Sequence, residues 1–189
     1  ETHRRGSASL LFVSDGPEFG RKGDNPELEA ILPVELAPRS LRYLPDLGIL
    51  ILLDISASMM GPKLSLAKVS TLELLKNLKD SDRVSILTFW DQYRYLHAFQ
   101  PRGELRAEVE LAPLVAEGGT DLYPPLADGL GRLGKLDMQE RHVLIISDGK
   151  TREGDFQGLL RQARLRNITI STIAVGEEIN AELLGRIAQ

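Results

Sequence analysis

LGILILLDISASM, residues 47–59, decides the fold. The oily run from Leu47 to Leu53 is continuous rather than alternating, as expected of a strand buried on both faces in a parallel sheet. It stops abruptly at Asp54. Two hydroxyls then follow at alternate positions, Ser56 and Ser58. The pattern returns in RHVLIISDG, residues 141–149: an apolar strand, a hydroxyl, Asp148 and Gly149. Two buried strands ending in acid imply an open α/β sheet, in which sites form at the carboxyl ends of strands.

Outward from this stretch, strand and helix signals alternate. Met59-Met60-Gly61-Pro62 is a turn, with Pro62 suited to the first turn of a helix. Residues 63–78 place Leu64, Ala67, Leu72, Leu74, Leu75 and Leu78 near one helix face. Residues 83–90 and 93–99 read as strands, and only Asp91 and Gln92 separate them, which forces a hairpin and an antiparallel edge. Residues 104–115 read as a helix broken near Pro113, 122–136 and 156–166 as helices, and 168–176 as a strand. Asn180 caps a final helix. The order predicts a Rossmann-like, doubly wound α/β fold: a mostly parallel sheet with one antiparallel edge strand and helices on both faces. Residues 1–45 fit this order less well and read as an N-terminal extension, part of a neighbouring domain, ahead of a main domain over 46–189. Within the extension, 9–14 suggests a strand and 26–34 a short helix.

Composition narrows the chemistry. A chain of 189 residues, 42% hydrophobic and 26% charged, suits one well-packed globular domain with an appendage. A net charge of −4 gives no footprint for nucleic acid or an anionic membrane. No apolar run approaches the roughly 20 residues of a membrane span, so direct insertion is not expected. The absence of cysteine excludes disulfides, thiolate metal sites and cysteine nucleophiles.

What remains at the strand ends is oxygen. Asp54, Ser56 and Ser58 follow one strand, Thr120 and Asp121 a Gly-Gly loop, and Asp148 another strand. Such a set suits a hard cation, Mg²⁺ first, with Mn²⁺ or Ca²⁺ as alternatives. In an extended turn, positions 54, 56 and 58 converge, while Ile55 and Ala57 point away and pack inward. The hydroxyls are expected to touch the metal, and one or both aspartates to act through water or hydrogen bonds. Asp121 is expected to accept hydrogen bonds from loop amides, with Gly119 and Gly149 shaping the loops. Met59 and Met60 are candidates for an apolar rim against a partner.

Together these residues resemble the von Willebrand factor A family and its metal-ion-dependent adhesion site. The similarity runs from about residue 47 to 189 and fills all five motif positions in order: Asp54, Ser56, Ser58, Thr120 and Asp148. The resemblance implies a non-enzymatic interaction module whose cation is completed by an Asp or Glu of a partner protein. It also implies a closing strand after the final helix, which this chain lacks. The stretch LLFVSDGPEFG followed by PELEAILPV is more weakly similar to the segment preceding such domains in bacterial membrane-associated proteins with a glutamine-amidotransferase-like region. A soluble domain of a membrane-anchored bacterial protein is the placement this suggests.

Plainer readings fit less well. Asp-Ile-Ser-Ala-Ser alone would pass for a helix cap. A calcium loop starting at Asp54 would need Glu where Ser65 stands. There is no phosphate-binding Lys-Ser/Thr loop and no Gly-x-Ser-x-Gly elbow. His142 reads as structural and His97 as solvent-facing. A metal-assisted hydrolase and a structural domain of a larger envelope protein remain the rival functions.

Overall fold

The computed structural model describes residues 10–13, 45–177 and 179–188. The helix expected over 26–34 lies outside them. Six strands form one sheet: β1 (Leu10–Val13), β2 (Leu47–Asp54), β3 (Arg83–Phe89), β4 (Tyr93–Pro101), β5 (Glu140–Ser147) and β6 (Ile168–Val175). Their order is β1-β6-β5-β2-β3-β4. The four inner strands are parallel. β4 returns antiparallel beside β3, as the two-residue connection requires. At the opposite edge β1 pairs antiparallel with β6, Leu10 opposite Val175 and Val13 opposite Thr172. The strand foreseen at 9–14 is thus part of this sheet.

β2 is central because it can be buried on both faces. Ile49 to Leu53 have no exposure. Leu50 and Leu52 join one core cluster with Leu126 and Leu130 of α3 (Tyr123–Leu133) and Leu159 and Leu160 of α4 (Phe156–Leu165). The odd positions face the other side, where α1 (Pro62–Lys76) packs. On α1 Leu64, Ala67 and Leu75 are buried as expected, Thr71 joins them, and Leu72 and Leu74 are only half-buried. Thr71 is tolerated there because its hydroxyl bonds the Ala67 carbonyl. The helix expected over 104–115 shrinks to α2 (Ala107–Leu111). In α5 (Ala181–Ile187), Asn180 caps by accepting the Leu183 amide, as the sequence suggests.

Two polar groups help to hold the sheet. Asp82 accepts the amides of Leu47 and Lys79, tying the end of the α1–β3 turn to the start of β2. His97, expected to face solvent, is buried, because α2 brings Glu110 over it with Nε2 and Oε2 2.5 Å apart.

His142 at the start of β5 is buried, with Nδ1 2.6 Å from Thr169 Oγ1. Burial lowers its pKa from 6.5 to about 4. The folded state therefore binds fewer protons than the unfolded chain between these values. Stability is fully present above pH 6.5 and falls as pH drops toward 4, by as much as ~3 kcal/mol. Urea unfolding at stepped pH checks this: His142→Gln should flatten the decline over that window.

Candidate metal site

Register brings the two acids together. β2 lies beside β5 with Leu53 opposite Ile146. Asp54 and Asp148 therefore emerge at neighbouring strand ends, and both are fully buried. Asp54 Oδ1 accepts the Ser56 amide at 2.8 Å, and Oδ2 accepts the Ser147 hydroxyl at 2.6 Å. Ser147 in turn accepts the Gly149 amide. Asp148 Oδ1 accepts the Lys150 amide, and Oδ2 lies 3.1 Å from Lys63 Nζ. Every oxygen of both carboxylates is thus engaged by the protein.

The serines are placed by a change of backbone geometry. Ser56 is still extended, but a 3₁₀ turn follows over Ala57–Met59, closed by the Met59 amide on the Ser56 carbonyl. The Ser56 and Ser58 hydroxyls lie 3.2 Å apart. Ser56 is buried and Ser58 half-buried. The turn corrects two expectations. Ala57 is exposed rather than packed inward, and Met59 is fully buried beneath the turn, so it cannot form a rim. Met60, 67% exposed, remains available for that role.

Thr120 sits in a loop stitched on both sides. The Ala57 amide bonds the Gly118 carbonyl and the Glu117 amide bonds the Ile55 carbonyl, joining it to the turn after β2. The Arg152 amide bonds the Thr120 carbonyl and the Leu122 amide bonds Thr151 Oγ1, joining it to the loop after β5. The part expected of Asp121 falls instead to Asp91. Asp91 Oδ2 accepts the Gly119 amide at 2.7 Å, while Oδ1 takes Arg152. Asp121 faces Arg152 at 3.7 Å, and its own amide bonds the Trp90 carbonyl. Gly119 fits because a Cβ there would stand 2.4 Å from Asp91 Oδ1. Gly149 has φ +80 and lies against Asn180, so it too is a position for glycine.

The donor set fits a hard cation. Two carboxylates at neighbouring strand ends and a serine pair on the following turn lie on loops hydrogen-bonded to the Thr120 loop, and among the described residues no group of three or more His, Asp or Glu is placed to hold a metal. Ser147, Asp91 and Lys63 are neighbours of the candidate site that sequence reading missed. Ser147 alone left a signal, as the hydroxyl preceding Asp148.

Burial raises the Asp54 pKa from 3.8 to about 6, opposed by the hydrogen bonds from Ser147 and Ser56. In metal-free protein the folded carboxylate is penalised as pH rises from about 4 through 6, by up to ~3 kcal/mol. Asp54→Asn should therefore be more stable than wild type in chelator above pH 6. That advantage should vanish toward pH 4 in denaturant titrations.

Comparison with known proteins agrees with this architecture. Residues 48–189 match the family model of the von Willebrand factor type A domain. An uncharacterised protein from Synechocystis is 28% identical over 152 residues, 78% of this chain and 36% of its own, so the chain spans about a third of that relative. The solved von Willebrand factor type A structure from Catenulispora acidiphila superposes with a TM-score of 0.64 at 21% identity, covering 76% of this chain and 36% of that one. The manganese-loaded TRAP protein of Plasmodium vivax gives 0.63 at 15% identity, covering 75% and 62%. The chain belongs to the von Willebrand factor type A family.

Proposed function

We propose that this domain is a metal-dependent protein-interaction module, with Asp54, Ser56, Ser58, Thr120 and Asp148 holding one divalent cation. Mg²⁺ is the first choice, and Mn²⁺ or Ca²⁺ the alternatives. One observation carries the reading. The paired Ser56 and Ser58 hydroxyls lie on the turn that follows Asp54, and Asp54 and Asp148, both of zero exposure, emerge at neighbouring strand ends with each carboxylate oxygen engaged by the protein. Burying two acids side by side is costly unless positive charge compensates them. The hydroxyls are the neutral donors best placed for direct contact, and the aspartates supply charge around them. When bound, the cation supplies a Lewis-acid contact for an Asp or Glu side chain of a partner protein.

The chain's own residues do the rest. Ser147 and the Ser56 amide orient Asp54. Asp91 and Arg152 pin the Thr120 loop. Met60 offers an apolar contact beside the mouth. Domains of this family serve generally as interaction modules, and the manganese bound by the related TRAP protein supports a divalent ion in this fold. No described helix is long and apolar enough to cross a membrane.

Thermal melts in chelator and then in Mg²⁺, Mn²⁺ and Ca²⁺ test the proposal. A metal at a hundredfold its Kd stabilises by about 2.7 kcal/mol, a shift on the order of 5–10 °C for a domain of this size. Asp54→Ala should remove the shift. No shift with any of the three ions at millimolar concentration would contradict the proposal.

A further inference from the structure

Asp148 is buried without exposure, yet a cation already reaches it. Lys63, in the first turn of α1, brings Nζ to 3.1 Å from Asp148 Oδ2. Its side chain is 25% exposed, so it runs from the surface down to the acid. The route passes Gly176, where φ is +116 and a Cβ would stand 2.5 Å from Lys63 Cε. The backbone there is one that favours glycine, and the missing side chain leaves the lysine stem room to pass. The helix gives no reason for a lysine here, because its N-terminal end favours acids over cations. The reason lies at the site. Asp54 and Asp148 carry two negative charges when ionised, and Lys63 balances one of them.

We infer that Lys63 is a tethered cation that shares the Asp148 carboxylate with the divalent ion and thereby weakens metal binding. The inference rests on the cation-site reading above and names a control on that site. Without metal, the ammonium compensates the buried acid. With metal, the same carboxylate would serve two cations, whose mutual repulsion in a partly buried setting would oppose metal binding. The flexible four-carbon stem lets the ammonium withdraw toward solvent as the metal enters. Affinity is therefore set by a competition inside the chain, and a partner that draws Lys63 away would tighten the site.

The test compares wild type with Lys63→Met, which keeps the stem beside Gly176 and removes the charge. Lys63→Gln, also uncharged but able to bond Asp148, stands in should the first variant not fold. Calorimetric titration with Mn²⁺ should show binding about tenfold tighter or more in the variant. Melts should show it less stable than wild type in chelator but with a larger metal-induced shift. A merely structural lysine would lower both melting temperatures equally and leave the Mn²⁺ affinity unchanged, which would overturn the inference. So would weaker binding in the variant, while metal binding by wild type would still leave the site reading standing. Binding by the variant alone supports the inference. Binding by neither protein rejects it together with the site.

Discussion

The carboxylate of Asp54, fully buried at the end of the central strand, is the constraint on which the rest of the structure turns. A charge there needs compensation from several directions, and the hydrogen bonds of the fold supply part of it. The parallel pairing of β2 with β5 puts Ser147 where its hydroxyl reaches Oδ2. The turn after β2 folds the Ser56 amide back onto Oδ1. The same turn presents the two serine hydroxyls. Loops from three elements are then cross-bonded around it, through Gly118, Thr120 and Arg152. The local order of the site is a consequence of holding one buried acid in place.

Much of this was legible in sequence because it is local. The apolar run from Leu47 to Leu53 fixes a two-sided strand, and the hydroxyl-acid pattern after it needs only chain neighbours to be recognised. The hairpin edge follows from a connection too short for anything else. What escaped depends on contacts distant in sequence. Asp91 looked like a turn residue because its partners, Gly119 and Arg152, lie in other loops. Lys63 looked like an ordinary helix lysine because its partner sits 85 residues away. Met59 and Met60 could not be told apart until the 3₁₀ turn sent one inward and the other out. The apolar run within residues 9–14 suggested a strand of the N-terminal extension without saying that it would take an edge of this sheet.

Family membership fixes the frame, and the chain's particular residues set how the frame works. The sheet order, the two antiparallel edges and the helices on both faces position the loops. The balance of charge at their meeting point is a property of this sequence: two buried acids, one lysine threaded past a glycine, and neutral hydroxyls between.

The central claim is that the serine pair, rather than the general acidity of the chain, holds the cation. Electron paramagnetic resonance of Mn²⁺ titrated into the wild-type domain, beside the Ser56→Ala, Ser58→Ala double variant, tests it most directly. The account predicts one bound Mn²⁺ per wild-type chain and only free ion with the double variant. Equal Mn²⁺ binding by the two proteins, or none by wild type, would contradict it.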